Sequence, residues 1–225
     1  MSHSDTEEQL NTIIYFFNRT WKIIVPIVII ILISIAGWYY WQSYKTEQLA
    51  IASEKYESLI NKVDPADPKS IDELVAFANE NDNIYGIFAD LKAAQFYVET
   101  LKDYAGAESL LINARSNTNS ELILAIINIR IAKLQYQLDK YQDSLATLNQ
   151  IKSPKWSGAV NDIRGDIFIK LEKYQDAFNA YDAALASSVP EKLAEYIKMK
   201  RNNAEILRDI QNIEQEKAAQ QSKAE

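Results

Sequence analysis

The sequence predicts an all-α protein: a single N-terminal transmembrane helix followed by an α-solenoid of helical hairpins. Three observations predict it. Residues 23–44 hold no charged side chain, although 24% of the 225-residue chain is charged. Elsewhere apolar residues recur at helical rather than alternating spacing, and glycine and proline number only five each. Finally, EKYQDAFNAYDAAL at 172–185 echoes DKYQDSLATLNQIK at 139–152, thirty-three residues upstream.

The first segment, 1–20, is a polar tail that carries Asp5, Glu7 and Glu8. The span itself, 21–41, reads WKIIVPIVIIILISIAGWYYW. At 1.5 Å per residue the uncharged run reaches about 33 Å, enough to cross a hydrocarbon core of roughly 30 Å. Trp21 marks one edge, and Trp38, Tyr39, Tyr40 and Trp41 mark the other. Rings with an apolar body and a polar tip suit the headgroup level. Pro26 falls near the start of the span, where a missing backbone donor does least harm. Ser34-Ile35-Ala36 has the small-x-small look of a signal-peptidase site, but the long acidic segment before the span favours an uncleaved anchor. Arg19 and Lys22 crowd the near end and only Lys45 the far end, so the N-terminus is expected in the cytoplasm; Lys55 and Lys62 dilute the bias.

From 42 to 210 the pattern stays helical. QSYKTEQLAIASEKYESLINKV at 42–63 prolongs the first helix, and Asp64-Pro65-Ala66-Asp67-Pro68 breaks it. The next helix is expected from Ser70 to Asn79, with Ser70 as cap and Glu73 completing a capping box. The polar run 79–83 ends it.

The echo then sets the organisation. If Tyr174 opens the second helix of a pair, Ala177 and Ala184 lie on its packed face. Gly165 falls twelve residues before Ala177, where the first helix must come close, and Phe168 shares its face. Tyr181 supplies a second aromatic and Pro190 a stop. This resembles the tetratricopeptide signature of a small residue, an aromatic, then Ala, aromatic, Ala and Pro. A looser copy puts Ala132, Ser144 and Leu148 at the places of Gly165, Ala177 and Tyr181, with Pro154 following. A third aligns Tyr104, Ala107, Leu111 and Ala114 at an offset of 37, the extra residues being assigned to the polar loop 116–120. Helix pairs of this kind cannot bury their apolar faces alone and must stack. Glu191–Ile210 is read as a final helix, with Leu193, Tyr196, Ile197 and Lys200 covering the last pair; 211–225 is polar and expected to be a disordered tail.

Composition bounds the chemistry. Apolar residues make up 48%, sufficient for a packed core, and the net charge of −7 argues against nucleic-acid binding. There is no cysteine, and the one histidine, His3, lies in the polar N-terminal tail. Thiolate catalysis and sulfur-bound metal are therefore excluded, and no cofactor or metal is expected. Asp162 and Asp166 share a helix face, as a catalytic carboxylate pair would, but a solvated face is the simpler account. Gly158 and Gly165 stand alone, so no phosphate-binding loop is formed. The chain is not read as an enzyme.

Several stretches carry a more specific likeness: GWYYWQSY at 37–44, FANENDNIYG at 77–86, INIRIAKLQ at 127–135, DIRGD at 162–166 and MKRNN at 199–203. On these the chain resembles the ancillary SecYEG translocon subunit family (YfgM-like proteins). The resemblance implies an inner-membrane protein with periplasmic repeats. It also implies the SecYEG translocon and a membrane-anchored parvulin-like periplasmic chaperone as partners, and a chaperone-like role toward emerging secretory or outer-membrane chains. By analogy with tetratricopeptide geometry, the partner-binding groove is expected at Ile129, Lys133, Tyr136 and Gln137, then at Asp162, Asp166, Ile169 and Lys170. Arg130 either meets an acidic partner group or bridges neighbouring helices. The alternative function is a tetratricopeptide scaffold for another cell-envelope assembly machine.

Overall fold

A computed structural model describes the backbone of residues 4–222 and the side chains of Trp21 and of residues 24–222. Among the described residues there are nine α-helices and no strand. The chain divides into two compact units, with the boundary after Glu54.

Helix α1 spans Ser4–Ile60 and so runs beyond both ends of the 21–41 span. Residues 42–60 are mostly strong helix formers, and nothing interrupts them before Pro65. Pro26 is consequently not near a helix start, as the sequence suggested, but inside α1. Such a position is tolerated where neighbouring backbone and hydroxyl groups meet the freed carbonyls. From Ile24 to Trp41 every described side chain is exposed, as lipid contact requires. Ser34 turns its hydroxyl back to the Ile30 carbonyl at 2.8 Å. At the far aromatic edge the rings of Trp38 and Trp41 lie 6.0 Å apart, and the Lys45 ammonium sits 3.9 Å from the Trp41 ring centre. Trp21, Tyr39 and Tyr40 are exposed as well.

The second unit is a stack. After a 3₁₀ turn at Pro68–Ile71 come α2 (Asp72–Glu80), α3 (Ile84–Phe96, continued by a π turn over Tyr97–Leu101), α4 (Tyr104–Ser116) and α5 (Glu121–Gln137). Then follow α6 (Tyr141–Leu148), α7 (Ser157–Lys170, entered through a 3₁₀ turn at Pro154–Trp156), α8 (Tyr174–Leu185) and α9 (Glu191–Gln221). Each helix packs on the next, and α7 also reaches back to α5. The pairs are thus α3/α4, α5/α6 and α7/α8, with α9 in the place of a further first helix.

Small residues set the approach within each pair. A Cβ on Gly165 would stand 2.3 Å from the Tyr181 ring, so only glycine admits that ring against α7. In the α5/α6 pair Ala132 holds the same place. Ser144, fully buried opposite it, donates its hydroxyl to the Ala132 carbonyl at 2.7 Å. In α3/α4 the buried small residue is Ala94, thirteen before Ala107 rather than twelve, because the π turn inserts one residue.

The connections within the pairs share a conformation. Lys102, Asp139 and Glu172 have φ of 56°, 58° and 57°, and each stands two residues before the tyrosine that opens the second helix. At Asp139, Lys140 donates its amide to the Gln135 carbonyl and Asp139 donates to Tyr136. At Glu172, Lys173 donates to Phe168 and Glu172 to Ile169. This is the Schellman closure that commonly carries glycine at the left-handed position.

The core is layered. One cluster joins Ile87 and Ala94 of α3, Leu111 of α4 and Ile127 of α5. The next joins Ala132 of α5, Leu148 of α6 and Ile163 of α7, and the third Tyr181 of α8 and Ile197 of α9 with Phe168 of α7 packed on them. Every layer borrows a helix from the following pair. Buried polar groups tie the layers together. Glu108 of α4 accepts from Gln135 of α5 at 2.9 Å and from Lys140 at 2.8 Å, and Thr147 of α6 donates to Gln135 at 2.8 Å.

Three local expectations are corrected. Ser70 does not cap α2: its hydroxyl donates to the carbonyls of Asp64 and Asp67, and Asp67 caps the 3₁₀ turn by accepting from the Lys69 amide. The extra residues of the 37-residue offset lie in the helices rather than in the polar loop: α4 and α5 are 13 and 17 residues long against 8 in α6 and 14 in α7, and α4 takes in Ser116. The segment after Ile210 is helical through Gln221, since its alanines, glutamates and glutamines favour helix and it lacks glycine and proline.

Two stability predictions follow from these contacts. Asp90 is fully buried between helices; one carboxylate oxygen accepts from Asn113 at 2.9 Å and the other has no partner. Burial pushes its pKa up to about 6, against the opposing pull of the Asn113 hydrogen bond. A raised folded pKa makes stability fall as pH rises from about 4 through about 6. Asp90→Asn should therefore raise stability by about 1–3 kcal/mol at pH 7.5 and much less near pH 4, as read by thermal melts at the two pH values. Glu172→Gly should relieve a left-handed residue and stabilise by about 0.5–1 kcal/mol, whereas Gln175→Gly inside α8 should cost about 1 kcal/mol. Parallel denaturant titrations would distinguish them.

Candidate functional site

The positions expected to line a groove fall on α5 and α7, the first helices of successive pairs. On α5 the residues Arg130, Lys133 and Gln137 are exposed. Ile129 and Tyr136 are half-buried and lean on the layer shared by α5, α6 and α7. The Tyr136 ring lies 5.9 Å from that of Tyr141, which anchors its apolar body and leaves its edge at the surface.

Arg130 and Lys133 look into a cleft of about 320 Å³ between α3 and α5. Its floor is apolar, formed by Ala94, Val98, Leu111 and Leu134, and its far wall is Gln95 and Glu99, which are joined by a 3.0 Å hydrogen bond. Among the described residues neither cation has an ion-pair partner. A hydrocarbon floor beside two unpaired cations is suited to an apolar side chain next to an acidic group. Sequence reading missed the α3 wall. The π turn displaces that helix by one residue relative to the other copies, and nothing in its composition announces the turn.

The α7 positions behave differently. Lys200 of α9 donates to Asp162 at 2.9 Å and to Asp166 at 2.8 Å, and the Tyr181 hydroxyl donates to the other oxygen of Asp166 at 2.7 Å. The ammonium also sits 4.7 Å from the Tyr196 ring centre. Burial pushes the Asp162 pKa up, partly offset by the Lys200 ammonium and the more distant Lys133. For Lys200, burial disfavours the charge, but hydrogen bonds to Asp166 and Asp162 outweigh it and hold its pKa above the ordinary value. Asp162 and Asp166 thus clamp α9 onto α7. Ile169 packs toward the last layer, and Lys170 is exposed.

The nine groove positions therefore separate. Arg130, Lys133, Gln137 and Lys170 are open to a partner. Ile129, Tyr136 and Ile169 are half-committed to packing, and the two aspartates are held from within. A wider cleft of about 560 Å³ lies between α6, α7 and α8, but its cation, Arg164, is occupied by Asn149 and Asn161 at 2.7 and 3.1 Å.

Comparison with known proteins gives these contacts a context. Residues 15–205 match the tetratricopeptide repeat-like domain family. The ancillary SecYEG translocon subunit of Escherichia coli strain K12 is 32% identical over 204 residues, covering 91% of this chain and 98% of that protein. The protein of the same name from Haemophilus influenzae is 30% identical over 207 residues, covering 90% of this chain and all of that one. The Neisseria gonorrhoeae protein is 24% identical over 189 residues, covering 82% and 89%. No solved structure matches the chain. The stretches that carried the resemblance have structural work to do. In FANENDNIYG, Asn83 accepts from the amides of Tyr85 and Gly86, and a Cβ on Gly86 would strike the Asn81 carbonyl. DIRGD and MKRNN meet in space through Asp162, Asp166 and Lys200. The chain belongs to the ancillary SecYEG translocon subunit family, with its tetratricopeptide repeat-like domain behind one long apolar N-terminal helix.

Proposed function

We propose that the protein is a membrane-tethered adaptor at the SecYEG protein-export channel. Its α3–α5 cleft holds a segment of a partner chain, either the membrane-anchored parvulin-like chaperone or a secretory or outer-membrane chain as it emerges. The observation that carries this reading is the open cleft, apolar in its floor and cationic at Arg130 and Lys133, which among the described residues have no ion-pair partner. The names of the relatives point to the channel as the place of action. The family and the one apolar helix fit a single-pass inner-membrane protein. Arg19 and Lys22 beside the span favour a cytoplasmic N-terminus, which leaves residues 42–225 in the periplasm.

The mechanism is tethering. A span that confines the cleft to the membrane plane raises its effective concentration beside emerging chains, so modest affinity suffices. Rim cations act mainly on encounter and register rather than on total affinity.

In detergent extracts, wild-type protein should recover the channel subunits together with the parvulin-like chaperone. Arg130→Glu with Lys133→Glu should lower capture of the chaperone or of a stalled secretory chain about 5- to 50-fold while leaving helical content unchanged. Undiminished capture would place the binding surface elsewhere. Protease added to spheroplasts should degrade residues 45–225 and spare the N-terminal tail; protection of the repeats until the membrane is lysed would reverse the orientation.

A further inference from the structure

We propose that the outer face of α9 is a second docking surface, independent of the cleft, for a partner helix whose apolar stripe is flanked by lysine or arginine. The face carries Tyr196, Met199, Asn203, Ile206, Ile210 and Ile213, at successive spacings of 3, 4, 3, 4 and 3. That is a heptad a/d pattern, the spacing that brings one helix onto another as knobs into holes. All six are exposed, the five large apolar side chains at 48–60%. The opposite face is already used: Leu193, Ile197 and Ala204 belong to the last core layer, and Gln211 reaches back to the Glu172 carbonyl. The helix is therefore apolar on two sides.

The end of a stack is normally closed by a helix with a polar outer face, because nothing further covers it. Here the terminal helix does the opposite, and it is 31 residues long where the preceding α8 is 12. Asn203 interrupts the stripe at a position equivalent to Tyr196 and Ile210, the kind of polar core residue that fixes register between two helices.

The flanking charges choose the occupant. Glu195, Asp209, Glu214 and Glu216 border the stripe. Of the cations alongside the stripe, Lys200 is bound to Asp162 and Asp166 and Arg208 lies over Phe178 at 5.1 Å, while Lys192 and Lys217 stand beyond its two ends. A parallel second copy would set Asp209 against the partner's Glu214, and an antiparallel one in register would set Glu195 against the partner's Glu216. Both oppose like charges. An anionic lipid surface would be repelled by the same carboxylates. A helix with basic flanks meets both the stripe and its border.

The test uses the full-length protein in detergent and two fluorescent synthetic heptad peptides. Both have isoleucine at a and d with one asparagine at a; one carries lysine at e and g, the other glutamate. Anisotropy should show the lysine peptide binding at least about tenfold more tightly than the glutamate peptide. Ile206→Ser with Ile210→Ser should weaken it about tenfold or more, with unchanged circular dichroism because both side chains are exposed. Arg130→Glu with Lys133→Glu should leave this binding unchanged, which separates it from the cleft. Failure of the lysine peptide to bind, equal binding of both peptides, or indifference to the isoleucine changes would overturn the proposal. So would a dimer in sedimentation equilibrium that the same changes abolish, since the occupant would then be a second copy.

Discussion

A helix hairpin with one apolar stripe cannot bury that stripe within itself, and the whole second unit follows from this. Each layer is completed by the first helix of the next pair: Ile127 of α5 closes the layer of α3 and α4, and Ile163 of α7 closes that of α5 and α6. Among the described residues the last layer is closed by α9. Close approach within a pair depends on volume. Tyr181 rests where Gly165 has no side chain, and Ser144 can sink to the Ala132 backbone only because both residues are small.

Apolar layers alone set no unique register along a stack, since neighbouring helices slide with little change in buried area. Polar groups supply the register here. Glu108, Gln135, Lys140 and Thr147 satisfy one another across α4, α5 and α6. At the other end, Lys200 is held by both Asp162 and Asp166, and Tyr181 completes Asp166. Partly buried ion pairs add little net stability because desolvation offsets attraction, yet an unpaired member is costly. Such groups therefore select one arrangement more than they strengthen it. Two stretches far apart in sequence, DIRGD and MKRNN, are thereby two halves of one contact.

The adaptor role proposed above needs surfaces left open by folding. The cleft beside Arg130 and Lys133 has a floor of small and aliphatic residues, and the one acid in its wall, Glu99, is held by Gln95 rather than by either cation. The outer face of α9 is left exposed by the described stack. The two surfaces differ in sign, one cationic and one bordered by carboxylates, so they suit different partners.

By itself the sequence determined the class of structure and the repeat. An uncharged apolar run bordered by Trp21 and Trp38–Trp41 has few stable environments besides lipid, and the recurrence of Tyr104, Tyr141 and Tyr174 marks three second helices because the same local geometry needs the same local residues. Tertiary structure decided what distance along the chain conceals. Asp162 and Asp166 read as groove residues from spacing, but Lys200, thirty-four or more positions away, claims them. The π turn at Tyr97–Leu101 and the left-handed Lys102, Asp139 and Glu172 leave no compositional trace, because packing on both sides imposes them on residues that do not prefer them. Periodicity reports which side of a helix is apolar; only the packed stack decides which of those sides is already covered.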